Sequence, residues 1–243
     1  MERLKLFTVL NPKSIGSEAF RTLRTNIQFT NIDKEIKTLV ITSSGPGEGK
    51  TTVSINLAYA IAQADKRVLL IDCDMRKPRV HKAFGLTNLD GLTNILMGER
   101  QLLDVAYKGD MELNTLTVVT SGPIPPNPAE LLGSRRMKEF LEKIRSDYDM
   151  IILDSPPIGL VTDSAILSTI ADGTILVLSS GETEQEMALR AKELLNQVNA
   201  NILGVVLNKV PTKGKSYYNY SYYQYYYYND GDEGRKKKKR RAK

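Results

Sequence analysis

The segment that decides the fold runs from residue 38 to residue 52 and reads TLVITSSGPGEGKTT. Its first five residues, Thr38–Thr42, have the β-branched and aliphatic character of a buried strand. A glycine-rich stretch follows and ends in Lys50 and Thr51, where a helical pattern begins. A strand, a glycine-rich loop ending in Lys-Thr and a helix, in this order, predict a phosphate-binding loop. The pattern departs from the usual G-x-x-x-x-G-K-S/T at its first glycine, which is replaced by Ser44.

Backbone N–H groups of such a loop form a concave nest for phosphate, and the following helix directs its positive end at the same anion. The side chain of Lys50 can then reach the β- and γ-phosphates of a nucleotide, and the hydroxyl of Thr51 is placed to ligate Mg²⁺. The residues predicted to contact ATP in this stretch are Gly45, Pro46, Gly47, Glu48, Gly49, Lys50, Thr51 and Thr52.

Five further β-rich runs recur along the chain, and most gaps between them hold a helical pattern. The six predicted strands are Thr38–Thr42, Val68–Asp72, Leu116–Thr120, Met150–Asp154, Thr174–Leu178 and Ile202–Asn208. Their apolar cores are continuous, as in strands that are buried on both faces of a parallel sheet. The predicted helices between them are Thr51–Ala64, Ser134–Arg145 and Thr183–Val198, and the last opens with a capping-box spacing. We therefore predict an α/β fold with a doubly wound, mostly parallel sheet flanked by helices.

Acidic residues follow two of the predicted strands. Asp72 and Asp74 end the run VLLIDCD, and Asp154 ends the run MIILD. Ligands of this fold class bind at the carboxyl edge of the sheet, where these carboxylates would meet a metal ion, its water or an attacking hydroxyl. Arg76 adds a permanent positive charge suited to phosphate. The alternative is structural: acidic loop residues paired with nearby basic residues, and an aspartate that caps a turn.

Asn208 ends the last predicted strand, where its amide could read an adenine edge or cap a turn. Cys73 and His81 are the only cysteine and histidine. Disulfides and thiolate metal sites within one chain are therefore excluded. We interpret Cys73 as a small packed residue and His81 as a surface residue.

The charge of the chain is concentrated at its end. The formal net charge is +6, of which residues 230–243 carry +5 through 8 basic and 3 acidic side chains. The basic run itself covers residues 235–243. The rest of the chain is nearly neutral, so a general attraction to nucleic acid is not expected. No apolar run approaches the roughly 20 residues of a membrane helix, and no signal-peptide block opens the chain, so we expect a cytoplasmic protein.

Residues 211–243 are low in aliphatic side chains, and we predict a flexible tail after a domain that covers residues 1–210. Nine of the twelve tyrosines lie in residues 217–228: Tyr217, Tyr218, Tyr220, Tyr222, Tyr223, Tyr225, Tyr226, Tyr227 and Tyr228. Three interpretations are open. The tyrosines could accept phosphate from the chain's own nucleotide site, stack on single-stranded nucleic acid, or form a tail without chemistry.

A helical segment precedes the first predicted strand, at about residues 14–30. It carries Glu18, Arg21 and Arg24 at i, i+3 and i+6, which places the three charges on one side of a helix.

Taken together, these motifs resemble the bacterial tyrosine kinases (BY-kinases), specifically the catalytic subunit of a capsular or exopolysaccharide system. The resemblance rests on the Walker A motif at Gly45–Thr52, the A′ motif at Asp72–Arg76, the Walker B motif at Asp154–Pro157 and the terminal tyrosine cluster. The spacing of Glu18, Arg21 and Arg24 is similar to the family's oligomerisation motif.

The resemblance implies a kinase that uses ATP and Mg²⁺ and phosphorylates its own C-terminal tyrosines between the subunits of a ring-like oligomer. The implied catalytic residues are Lys50, Asp72, Asp74 and Asp154, and the implied metal ligands are Thr51, Asp72, Asp74 and Asp154. From the residues themselves we also predict ATP contacts at Arg76 and Asn208. Either Asp72 or Asp74 would be the base.

The implied partners are a membrane-anchored activator that recruits the kinase to the inner face of the plasma membrane, a protein-tyrosine phosphatase and other protein substrates. The basic tail would add an attraction to anionic lipid.

Two rival functions belong to other classes. A positioning ATPase of the division-site or plasmid-partitioning type shares the fold, but such proteins carry a lysine where this chain has Gly45, and the division-site type carries a membrane-seeking amphipathic helix at its carboxyl end. A nucleic-acid-binding protein would explain the tail but would leave the acidic strand ends without a role.

Overall fold

The computed structural model describes residues 13–30, 35–108 and 115–211. Its nine described helices are α1 (Ile15–Thr30), α2 (Lys50–Ala62), α3 (Val80–Phe84), α4 (Leu92–Met97), α5 (Leu102–Val105), α6 (Pro128–Leu132), α7 (Arg135–Ile144), α8 (Asp163–Ser168) and α9 (Gln185–Gln197). Its described strands are β1 (Thr38–Ser43), β2 (Val68–Asp72), β3 (Tyr107–Lys108), β4 (Leu116–Val119), β5 (Met150–Asp154), β6 (Gly173–Ser179) and β7 (Ile202–Asn208).

The seven described strands form one sheet in the order β3-β4-β2-β5-β1-β6-β7. All neighbouring strands are parallel except β3 and β4, which are antiparallel. From β1 the chain passes to β2 on one side of β1 in the sheet, whereas β6 and β7 lie on the other side of β1. The strand order therefore reverses next to β1. The phosphate-binding loop therefore opens at the switch point, where ligands bind in open α/β sheets.

Helices cover both faces of the sheet, which explains why its central strands are apolar throughout. Every residue of β1, β2 and β5 is buried. One core cluster joins the sheet to α1 and α2, and a second joins its other face to α4, α6, α7 and α8. A third, smaller cluster lies where α9 packs on β6. Buried aliphatic area of this kind is the main stabilising contribution to such a fold.

The predicted fold class is confirmed, and three of the six predicted strands, β2, β5 and β7, match residue for residue. The antiparallel pairing of Tyr107 and Lys108 with β4 was not predicted, because a two-residue strand carries no periodicity. The capping-box prediction for the last helix is wrong: α9 begins at Gln185 after Glu184, and the hydroxyl of Thr183 bonds elsewhere.

The predicted N-terminal helix is present as α1, which packs on α2. Arg24 donates a hydrogen bond to the carbonyl of Ala60 at 2.7 Å, and Arg21 pairs with Glu18 at 2.7 Å along the same helix. Their predicted role in oligomerisation stays a prediction.

The chain divides into two units between Asn208 and Lys209. The first contains all the elements above, and only Lys209, Val210 and Pro211 of the second are described. The predicted phosphoacceptor tyrosines at 217–228 and the basic run at 235–243 lie outside the described residues. Among the helices that are described, none has both the length and the apolar character needed to cross a bilayer.

Candidate functional site

The phosphate-binding loop joins β1 to α2 and takes its shape from two glycines. Gly47 and Gly49 have φ angles of 79° and 91°, in the left-handed region that side chains rarely adopt. A Cβ on Gly49 would lie 2.1 Å from the amide nitrogen of Asn208, so no larger residue fits there without displacing that amide. α2 starts directly at Lys50, and the positive end of the helix therefore faces the loop. Pro46 and Gly47 are exposed at the tip.

Lys50 points from this loop to the acidic side of the site. Its Nζ lies 2.8 Å from Oδ2 of Asp74, and both side chains are largely buried. Burial acts to lower the pKa of Lys50, but the charges of Asp154 and Asp74 outweigh it and hold that pKa above its ordinary value. Lys50 is therefore a positive charge inside the site at neutral pH.

The carboxylate of Asp154 is held by the first turn of α2. Thr51 donates its hydroxyl to Oδ2 of Asp154 at 2.7 Å, and Ser54 donates to Oδ1 at 3.0 Å. Sequence reasoning identified Thr51 but missed Ser54, which is one helical turn further along the same face.

Asp72 and Asp154 are register partners on the neighbouring strands β2 and β5, so two fully buried carboxylates end side by side. Burial, followed by the charge of Asp154, raises the pKa of Asp72 to about 8. Burial also raises the pKa of Asp154, although Lys50 and the hydroxyls of Thr51 and Ser54 oppose the shift. Burial therefore disfavours the charged form of both carboxylates, and the charge of Lys50 opposes this effect.

The two acids of the A′ segment have different surroundings. Both oxygens of Asp72 accept backbone N–H bonds: Oδ2 from Arg79 at 3.0 Å and Val80 at 2.9 Å, and Oδ1 from Asp74 at 3.1 Å. Asp74 accepts from the backbone of Lys77 on Oδ1 and from Lys50 on Oδ2. Asp72 therefore shapes its own loop, whereas Asp74 faces the phosphate-binding lysine.

Arg76 forms a bidentate ion pair with Asp163, with both N–O distances at 3.0 Å. Asp163 is fully buried at the start of α8 and was not predicted, since nothing in its local sequence distinguishes it from an ordinary first-turn acid. Arg76, predicted to contact phosphate, is thus tied to the segment that follows the Walker B strand. Its ATP contact stays a prediction.

Glu48 and Asn208 lie on the other side of the loop. The amide of Asn208 donates to the carbonyl of Glu48 at 2.8 Å, which brings the end of β7 against the loop. The carboxylate of Glu48 is buried and turned toward Ser44 and Gly45. In the described structure Glu48 therefore contacts its own loop, and its contact with ATP stays a prediction.

The donor set suits magnesium, which prefers carboxylate and hydroxyl oxygens and fills its remaining positions with water and phosphate oxygens. Asp154 and Thr51 supply such oxygens where β5 ends against the start of α2, and Asp72 ends the neighbouring strand β2 beside Asp154. No described group of three acidic, histidine or cysteine side chains would enclose a metal without other ligands. The residues therefore fit an ion held jointly with nucleotide phosphates.

Cys73 is buried, and burial, with the neighbouring charge of Asp72, raises the pKa of its thiol well above the ordinary value. This agrees with its interpretation as a packed residue. His81 is partly buried rather than a plain surface residue, and its Nδ1 is the only buried side-chain nitrogen or oxygen without a hydrogen-bond partner in the described ranges.

This chain is similar to known proteins and solved structures over most of its length. Residues 36–202 match a family model described as an AAA domain. Tyrosine-protein kinase YwqD of Bacillus subtilis (strain 168) is 48% identical over 215 residues, which make up 88% of this chain and 90% of that protein. The crystal structure of the chimerical protein CapA2B2 superposes with a TM-score of 0.81 at 39% identity, over 85% of this chain and 90% of that one.

A more distant likeness concerns the rival function. The septum site-determining protein MinD of Pyrococcus horikoshii, solved with Mg-ADP, has a TM-score of 0.61 at 23% identity, over 73% of this chain and 72% of that one. At this level of identity the likeness is one of fold alone.

Proposed function

The chain belongs to the bacterial tyrosine-protein kinases, and from that membership we propose how its residues transfer the γ-phosphoryl group of ATP to a tyrosine hydroxyl. The observation that carries the proposal is the convergence of Lys50 with the strand-end acids. Its amine lies 2.8 Å from Asp74, while Asp154, register partner of Asp72, accepts from Thr51 in the same loop. A phosphate-binding lysine and three carboxylates thus meet at one edge of the sheet.

The positive charges serve the nucleotide. Backbone N–H groups of the loop and the start of α2 receive the phosphates, and Lys50 exchanges its bond to Asp74 for the β- and γ-phosphate oxygens. Thr51 and Asp154 would hold magnesium, which supplies charge neutralisation on the phosphates when it is bound. Asn208 contacts the same loop, so its amide would lie beside the adenine base of ATP.

Asp74 is the better placed of the two candidate bases. Both oxygens of Asp72 accept backbone bonds, whereas Oδ2 of Asp74 becomes free once Lys50 turns to phosphate. Asp74 then accepts the tyrosine proton as the phenol oxygen bonds to the γ-phosphorus and the bond from that phosphorus to the leaving oxygen of ADP breaks. Asp72 keeps the A′ loop in shape.

We expect the acceptors to be the tyrosines of residues 217–228 in a neighbouring copy, within a ring-like oligomer that uses Glu18, Arg21 and Arg24. A membrane-anchored activator would recruit the kinase to the inner face of the plasma membrane, with the basic tail adding an attraction to anionic lipid. A phosphatase and further protein substrates would complete a system that regulates capsular or exopolysaccharide synthesis or export. The positioning-ATPase alternative is weaker, because it rests on fold alone and Gly45 replaces its loop lysine.

Two variants test whether the chain phosphorylates tyrosine and whether one copy phosphorylates the tyrosines of another. A full-length Lys50→Met chain should show no phosphotyrosine after incubation with Mg-ATP, whereas the matched exposed-site control Lys66→Met should be labelled like the parent chain. A chain that ends at Val210 should not be labelled, but it should label the Lys50→Met chain when the two are mixed. Labelling of Lys50→Met alone would overturn the assignment of Lys50, and ATP hydrolysis by the parent without tyrosine labelling would overturn the kinase proposal.

A further inference from the structure

The carboxylate of Glu48 makes a set of hydrogen bonds that the phosphoryl-transfer chemistry does not require. Its Oε2 accepts the backbone N–H of Gly45 at 2.9 Å, and its Oε1 accepts the hydroxyl of Ser44 at 2.7 Å. The hydroxyl of Thr183, from the loop between β6 and α9, also donates to Oε1. These three bonds use both oxygens of one buried side chain.

From this geometry we propose that Glu48 is a positioning residue that couples the phosphate-binding loop to the loop between β6 and α9. The proposal rests on the assignment of this chain as an ATP-dependent kinase. It concerns how the nucleotide site is held in shape, and it gives Glu48 no contact with the reacting atoms.

The chemistry of the contacts supports a carboxylate in particular. All three partners donate to Glu48, which suits an acceptor-only group, and hydrogen bonds to a charged acceptor are the stronger ones. Glu48 has no ion-pair partner in the described part of the chain, so backbone and hydroxyl donors compensate its charge. The two loops therefore depend on one another for a fully satisfied network.

Glu48 also accounts for the one departure from the phosphate-loop pattern. Ser44 stands where a glycine is usual, and its hydroxyl is bound to Oε1 of Glu48 within the same loop. Ser44 and Glu48 are four residues apart, so the serine that replaces the usual glycine and its hydrogen-bond partner lie in the same loop.

Thr183 carries the connection onward to the sheet. Its Oγ1 accepts the backbone N–H of Ser179 at 2.8 Å, at the end of β6. The acceptor of the Ser179 amide is thus a hydroxyl that Glu48 positions, and not Glu48 itself. The Ser179 amide therefore reports on the coupling without being part of the contact.

The backbone of Glu48 makes a further link, because its carbonyl accepts the amide of Asn208 at the end of β7. Met187 of α9 lies on the same side, 3.3 Å from the position of a Cβ on Gly45. The strand β7 and the helix α9 thus both contact the phosphate-binding loop that Glu48 holds in shape.

Hydrogen exchange of the nucleotide-free, full-length chain tests the coupling directly. In Glu48→Ala we expect exchange of the Gly45 amide to accelerate because its acceptor is gone, and exchange of the Ser179 amide to accelerate about 10-fold because Thr183 is released. Amides of β4, which is separated from β1 by β2 and β5, should exchange as in the parent. Unchanged exchange at Ser179 would overturn the proposal, and equal acceleration in β4 would overturn it in favour of general destabilisation.

Conservative variants separate positioning from simple loss of structure. Thr183→Ser keeps the hydroxyl and should bind ATP like the parent, whereas Thr183→Val should weaken ATP binding several-fold by titration calorimetry. Glu48→Ala should weaken it about 10-fold or more, and adding Thr183→Val to Glu48→Ala should cost little further because the two residues act as one unit. Fully multiplicative losses in the double variant would contradict the coupling.

These readouts fail independently of the kinase proposal. If Lys50→Met is still labelled on tyrosine, the assignment of Lys50 fails whatever the Ser179 amide does. If Lys50→Met is unlabelled while exchange at Ser179 and ATP affinity are the same in Glu48→Ala as in the parent, the kinase proposal stands and the role of Glu48 is refuted.

Discussion

The two sides of the nucleotide site solve the same problem, a buried carboxylate, in different ways. On the acidic side, defined by Asp72, Asp74 and Asp154, carboxylates crowd together and depend on the charge of Lys50. On the loop side, Glu48 has no ion-pair partner among the described residues and is held by backbone and hydroxyl donors.

The two sides differ because the acidic side would bind magnesium and the proton of the acceptor tyrosine, whereas Glu48 would hold the phosphate-binding loop in shape. Burial, followed by the neighbouring charge of Asp154, raises the pKa of Asp72, and clustered carboxylates attract cations. On the loop side, a single carboxylate among neutral donors fixes the positions of those donors. Removing a charge should therefore affect chemistry on the acidic side and affinity on the loop side.

The largest expected contrast comes from neutralising one acid on each side. Asp74→Asn should lower kcat for tyrosine phosphorylation by about 100-fold or more, because the amide cannot accept the phenol proton. Glu48→Gln keeps an acceptor oxygen and should raise KM for ATP by less than about 10-fold with kcat nearly unchanged. Steady-state kinetics with varied ATP measures both, and a larger kcat loss in Glu48→Gln than in Asp74→Asn would reverse the division between the two sides.

The ion pair between Arg76 and Asp163 tests whether the acidic side depends on charge compensation beyond Lys50. Arg76→Ala leaves a buried carboxylate without its partner, and it should lower the free energy of unfolding by about 1–3 kcal/mol. This is below the ~3–5 kcal/mol of fully buried pairs, because the Arg76 side chain is 40% exposed. Urea unfolding measures the change.

Two further chains control that measurement. Adding Asp163→Asn to Arg76→Ala should recover part of the loss, since the uncompensated charge is removed. Arg67→Ala breaks a more exposed pair, with Asp149, and should change stability only slightly. A comparable loss in Arg67→Ala would show that burial of the acid does not set the cost.

A third expected effect is a pH dependence of stability without metal or nucleotide. Folded Asp72 keeps its proton up to about pH 8, whereas an aspartate in the unfolded chain loses it near pH 3.9. Between these values the folded state holds the extra proton, so Asp72 should make the free energy of unfolding fall by up to ~1.4 kcal/mol per pH unit as pH rises, and the fall should stop above pH 8.

Urea unfolding at pH 5 to 9 in the presence of a chelator measures this slope. Asp72→Ala should show a shallower fall over the same interval. Identical slopes in Asp72→Ala and the parent would assign the pH dependence to other groups.

Much of the fold was predictable because continuous apolar runs are a local property. The runs that became β2 and β5 end in an aspartate, and in a parallel sheet such ends meet at one edge, so the partnership of Lys50 with acids followed from topology. The two-residue strand β3 and the delayed start of α9 were not predictable, since both depend on bonds to distant segments.

The sequence by itself determined the phosphate-binding loop, the three acids at two strand ends and the family, because each is encoded in contiguous residue types and spacings. Only the tertiary structure decided that Arg76 pairs with Asp163, 87 residues away, and that Glu48 bonds to Thr183, 135 residues away. A buried charge is satisfied by whichever donor the packing of the sheet and helices brings near, and that proximity is a property of the folded chain alone.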